Sequence, residues 1–246
     1  MIHYARSLVL LTLVAVAAWL GFWQLDRMQS KQALIDQFKN APEMDLMRAV
    51  EADNKYARVK VSGHYDPAWQ FLVDNKINKG QVGVHVLSLF QPDYGNPVLV
   101  NRGWLPVAAD RRTLPTAPLP KGGQVITGLL TRPNEDGIRL GDPQPIEVSD
   151  QAILITYLDM QVVSAAIGPR LLSRVILLDS NDPTGFSGRD WQPAVILPSQ
   201  HKAYAVQWFA LALAIAIVWV TLSWKSARKT GASQDSGGSD RRQPRE

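Results

Sequence analysis

Two long apolar runs frame this chain. Ser7 to Leu25 (SLVLLTLVAVAAWLGFWQL) carries no charge over 19 residues, and Ala203 to Trp224 carries none over 22. A helix needs about 20 such residues to cross the hydrocarbon core of a bilayer. The pattern therefore predicts two transmembrane helices, 7–25 and 203–224, with one large domain, 26–202, between them. Ala15-Val16-Ala17 also resembles the small-residue site of a cleaved signal peptide. The apolar run continues past it to Trp23, and Trp19 and Trp23 suit an outer aromatic belt, so a retained span is expected.

Between the runs the period changes. DRMQSKQALIDQFKNAP, from residue 26, spaces Met28, Leu34, Ile35 and Phe38 as a helix does, and Pro42 stops it. This segment can simply extend the first span, and Leu46 to Ala52 can add one or two turns. From Tyr56 onward apolar residues alternate. Strands are predicted at 56–65, 69–75, 82–90, 97–106, 124–130, 152–158 and 174–179, with a further short one near Ile146. Asp66-Pro67, Asn78-Lys79-Gly80 and Pro92 to Asn96 are the separators, and consecutive strands this close predict an antiparallel meander. Asp159 to Gly168 reads as a short helix with its own N-cap and glycine stop. The fold class is thus a membrane protein: two transmembrane helices, one near each terminus, flank an α+β, mainly antiparallel-β extracytoplasmic domain that is closed or sandwich-like. Thr230 to Glu246 has the composition of a disordered tail.

Charge orients this arrangement. Arg6 precedes the first span, and Lys225, Arg228 and Lys229 follow the second. Basic residues collect on the cytoplasmic side, so 1–6 and 225–246 are expected in the cytoplasm and 26–202 outside, in the periplasm. The 26–202 segment holds 19 Lys/Arg and 19 Asp/Glu, so the chain's net charge of +4 comes from its short ends. That leaves no basic surface for nucleic acid. The run begins at residue 7, without room for an Arg-rich transit peptide, which favours a bacterial inner membrane over an organelle. The absence of cysteine removes thiolate redox chemistry and Cys-based copper transfer.

Enzyme signatures are missing. G-x-S-x-G, H-E-x-x-H, the P-loop and G-x-G-x-x-G do not occur, so no nucleotide and no catalytic residue is expected. His64, two residues from Asp66, and His85 are read as structural; a scattered catalytic site remains the less favoured alternative. Two other stretches carry candidate chemistry. In HKAYAVQW, residues 201–208, His201, Tyr204, Ala205 and Trp208 fall on one helical stripe descending from the outer surface. They can be ordinary interfacial anchors, or the imidazole can ligate haem iron. Lys202 and Arg102 would then balance the propionates. Gln207, polar within the run, is expected to face another helix rather than lipid. In VNRGW, residues 100–104, Arg102 can stack near Trp104, and Gly103 permits a bulge or a close backbone approach.

LGFWQLDR (20–27), GHYDP (63–67), FLVDNK with GQVGVHVLSLF (71–90), LVNRGWLP (99–106) and HKAYAVQWFALA (201–212) stand in this order. Together, over residues 10–220, they resemble the Surfeit locus protein 1 family of cytochrome oxidase assembly factors. The resemblance implies a non-enzymatic chaperone of respiratory-chain biogenesis that helps haem a reach the catalytic subunit of cytochrome c oxidase. Haem a synthase and membrane lipid are further implied partners, and no copper site is implied. It makes His201 the proposed haem ligand. It maps the N-R-G-W motif onto Asn101, Arg102, Gly103 and Trp104, and W-Q-x-x-R onto Trp23, Gln24 and Arg27. Lys76 stands where relatives often carry arginine, and lysine does not reproduce a bidentate contact. A scaffold that holds an oxidase intermediate without touching haem is the main alternative.

Overall fold

The computed structural model describes residues 2–108, 113–133, 147–148, 152–193 and 196–235. The chain divides into two compact units, Met1–Ile35 with Ala194–Glu246, and Asp36–Pro193.

The first unit is helical. Helix α1 spans Ile2–Lys39, and the last helix, α4, spans Pro198–Asp235. Both are long and apolar enough to cross a membrane. They pack antiparallel: Arg6 donates to Ser226 Oγ at 3.2 Å near one end, while Gln24 meets His201 near the other. Small residues make the contact. Ala17 and Gly21 on α1 and Ala205 and Ala212 on α4 are buried, and small residues are common where membrane helices pack. The Phe209 ring fills the space over Gly21, where an added Cβ would lie 2.6 Å from a ring carbon. Phe22 meets the same ring edge to face at 5.2 Å. The outward faces are Leu, Val, Ile, Phe and Trp, and most of them are exposed, as lipid-facing positions should be. α4 runs on to Asp235, so the first residues of the stretch read as a disordered tail are helical; 236–246 lie outside the described residues.

The second unit is a sheet domain. A short helix α2, Leu46–Glu51, capped by Asp45, leads into β1, Tyr56–Asn78. Then come β2 (Gln81–Pro92), β3 (Val98–Pro106), β4 (Gln124–Thr131), β5 (Glu147–Val148), β6 (Ile153–Ile155), helix α3 (Met160–Ile167) and β7 (Val175–Leu178). The first half of β1 pairs with β4 and the second half with β2. With β2–β3, β3–β7 and β7–β4 in place, five strands close on themselves, and β6 and β5 extend from β1. Two pairings, β3–β7 and β1–β6, are parallel; the rest are antiparallel. Val59, Val61, Tyr65, Phe90, Val100, Ile126, Leu130 and Ile176 form the main core. A second layer holds α3 through Val163 against Phe71, Leu87, Leu89 and Leu99.

The expected first hairpin is corrected. Asp66-Pro67 does not turn the chain into a hairpin, and the segments 56–65 and 69–75 are one strand. Pairing with β2 stops after Tyr65–Phe90 and resumes at Gln70–Ser88. Asp66 Oδ1 accepts from Ala68 N at 2.9 Å, folding the excursion on itself. Pro67 has no N–H to lose from the ladder, so leaving and rejoining it costs little. The true turn is Lys79-Gly80, both with positive φ (49° and 80°), the backbone that two-residue hairpins favour. The strand expected at 152–158 shrinks to Ile153–Ile155. β5 begins at Glu147, and Ile146 lies outside the described residues.

Candidate functional site

Two constellations hold the residues singled out by the sequence, one in each unit.

In the sheet domain, β3 bulges at the N-R-G-W motif. Leu87 pairs with Asn101 and His85 with Trp104, so two residues of β3 stand against one of β2. Gly103 makes this possible. Its φ is +116°, and a Cβ there would lie 2.7 Å from the Ser187 carbonyl oxygen. The bulge turns Arg102 inward, where it is 2% exposed. Its Nε donates to the Thr184 carbonyl at 2.9 Å, and one Nη donates to Thr184 O and Pro118 O at 2.6 and 2.9 Å. The guanidinium lies between the rings of Tyr65 and Phe186, 5.0 and 4.7 Å from their centroids. It does not stack on Trp104 as the alternation suggested, because the bulge parts the two side chains. Trp104 instead donates its indole N–H to Lys76 O at 2.8 Å.

The segment 182–189 completes this cluster. Asp182 accepts from Thr184 N and Oγ1, and Arg189 donates to the carbonyls of Phe186, Asp179 and Asp182. Only the density of Gly, Asp and Thr in NDPTGFSGRD hinted that the segment would fold tightly on local hydrogen bonds. Asn101 continues the network. Its Oδ1 accepts from Gly103 N at 3.1 Å, which turns its amide nitrogen to His85 Nδ1 at 3.3 Å. His85 also meets Trp191 edge to face. Burial, with a smaller push from the Lys76 ammonium, lowers the His85 pKa to about 4, so the ring is neutral. Burial also lowers the Lys76 pKa. His64 is exposed on β1.

In the helical unit, His201 sits in the first turns of α4. Its Nδ1 is 2.8 Å from Gln24 Oε1 on α1. Its Nε2 is buried and has no hydrogen-bond partner. Ala205, one turn on, packs against α1, and Trp208 is half-buried on the same side. Tyr204 is half-exposed at the edge of this stripe and Lys202 is exposed. Gln207 is exposed and turned away from α1, contrary to the expectation that it meets another helix. It lies two residues beyond Ala205, about 200° around the axis, so packing through Ala205 directs it outward. On α1, Arg27 lies 5.7 Å from the centroid of the Trp23 ring, one turn apart. W-Q-x-x-R thus splits into an outer Trp–Arg pair and an inward glutamine that sequence reasoning left without a task.

The chain thus carries a closed sheet domain and two apolar helices long enough to cross a membrane, and the helices hold a buried, half-satisfied imidazole; this defines a membrane-anchored protein with a candidate ligand site on its anchor. Residues 11–213 match the SURF1 family. The chain belongs to that family. It is 23% identical over 226 residues to a SURF1-like protein of Rickettsia bellii, covering 86% of this chain and 87% of that one. To the Surfeit locus protein 1 of Takifugu rubripes it is 24% identical, covering 85% and 93%. The protein of that name from Mus musculus is 26% identical, with 85% and 73% covered.

Proposed function

We propose that this chain is a non-enzymatic assembly factor for haem-copper cytochrome c oxidase, and that His201 ligates haem a on its way to the catalytic subunit. The observation that carries the reading is the buried Nε2 of His201 without a partner. Buried polar atoms without partners are rare and call for an explanation. Among the described residues, two other buried side-chain nitrogens share this condition, Arg102 Nη1 and Trp219 Nε1. Neither can ligate a metal, since guanidinium and indole N–H groups only donate. A neutral imidazole is a good ligand for iron. Among the described residues no three His, Asp or Glu side chains converge. The donor set therefore suits a metal carried within another molecule and held by one imidazole.

Haem, when bound, would supply an iron able to accept that nitrogen. Exposed Lys202 would balance propionate charge, and Tyr204 and Trp208 would offer aromatic faces. Arg102 is withdrawn from this set: two of its three nitrogens are committed to Thr184 and Pro118 in the sheet domain. Holding the group by a single side chain suits a carrier, because delivery requires release. In this reading both termini lie in the cytoplasm and the sheet domain in the periplasm of a bacterial inner membrane, the orientation that the basic residues outside each span favour. Haem a synthase is the proposed donor.

The test is a visible spectrum of the purified protein, co-expressed with haem a synthesis, wild type beside His201→Ala. A haem a band in the wild type that is lost in the variant is the expected result. Equal bands would move the ligand to another residue. No band in either would leave a scaffold that holds the oxidase intermediate without haem.

A further inference from the structure

We infer that Gln24 sets the tautomer of His201, so that Nε2 is presented with its electron pair free. The inference deepens the reading above and takes its functional meaning from it.

A neutral imidazole has one donor nitrogen and one acceptor nitrogen. Gln24 can offer Nδ1 either its carbonyl or its amide across the 2.8 Å that separate them. With the carbonyl turned inward, Nδ1 carries the proton and donates, and Nε2 keeps a lone pair. With the amide turned inward, Nδ1 accepts, and Nε2 carries a buried proton with no acceptor. Orphaned buried donors are rarer in proteins than under-satisfied acceptors, which selects the first arrangement. In water the opposite tautomer, protonated at Nε2, is the more populated, so the preference at this site has to come from the protein. The packing of Ala17 and Gly21 on α1 with Ala205 and Ala212 on α4 brings the two side chains together. Gln24 acts as a positioning residue, since its hydrogen bond is to the imidazole. Its amide is uncharged, so a ligating His201 stays a plain imidazole, without the added basicity that a carboxylate partner confers.

The test uses the full-length, haem-free protein in lipid nanodiscs with its four histidines labelled with nitrogen-15. The His201 ring is assigned as the signal missing from His201→Ala. The proton is expected on Nδ1 in the wild type and in Gln24→Glu, which keeps an acceptor, and on Nε2 in Gln24→Leu. A proton on Nε2 in the wild type, or an unchanged ring in Gln24→Leu, overturns the inference. A second arm titrates haem. Gln24→Leu is expected to bind roughly tenfold more weakly, as loss of a ligand-orienting partner does, and Gln24→Glu to shift the reduction potential of bound haem downward. Undiminished haem affinity in a Gln24→Leu protein whose tautomer has switched would end the positioning role. A wild type that binds no haem would sink the haem reading, while the haem-free spectrum still decides the tautomer.

Discussion

Arg102 and His201 each keep one buried nitrogen without a partner, yet their surroundings differ in kind. Arg102 has two other nitrogens, both bound to carbonyls, and two aromatic rings against its faces. Its unpaired Nη1 is the remainder of a group already fixed from several sides. His201 has one bond, to Gln24, and its other nitrogen is its entire remaining chemistry. The first cluster joins β3 to the 182–189 segment and reads as architecture. The second could lose its imidazole and leave two apolar helices still packed through Ala17, Gly21, Ala205 and Ala212. A motif prominent in sequence is therefore no guide to which residue handles a ligand; the number of bonds left unmade is.

Measurements can break that comparison. Arg102→Ala should destabilise the sheet domain most, by about 4 kcal/mol, since it removes charge-assisted hydrogen bonds and leaves buried carbonyls unpaired. Denaturant unfolding of the solubilised protein would read this. If Arg102→Ala folds as stably as wild type but loses haem, the assignment of roles is inverted.

His85 gives the next effect. Its folded pKa of about 4 lies below the ordinary histidine value of 6.5. Its contribution to stability is then fully present above pH 6.5 and is lost as pH falls through the folded value. The loss amounts to about 3 kcal/mol. Comparing unfolding of wild type and His85→Gln between pH 7 and 4 isolates it; parallel curves would mean that the ring is not held neutral. The smallest effect belongs to His201→Ala, expected to change unfolding free energy by less than about 1 kcal/mol while removing the haem band. A large loss of stability in this variant would make His201 a packing residue.

The helices and the sheet domain also differ in what their sequences disclose. Two uncharged runs of 19 and 22 residues can only be hidden from water in lipid or in a large core, so their positions were legible from composition alone. Alternation placed most strands, and Asp159 and Gly168 bounded α3, because period and capping are local properties. Asp66-Pro67 misled: its residues suit a turn, but whether the chain reverses or rejoins its ladder depends on β2 lying alongside. The closing of β1 onto both β2 and β4, and the parallel pairings of β6 and β7, join residues far apart in sequence, and no local pattern encodes them.

The site divides in the same way. The sequence by itself determined that a histidine stands at the mouth of an apolar helix, because polarity and hydropathy belong to each residue. It also marked Gly103 as a place for close approach. Only the tertiary structure decided that Arg102 is occupied by Thr184 and Pro118, that Gln207 faces outward, and that Gln24 meets His201. Those outcomes depend on which faces pack and on which hydrogen-bond partners remain, and both are set by contacts between segments as distant as residues 24 and 201.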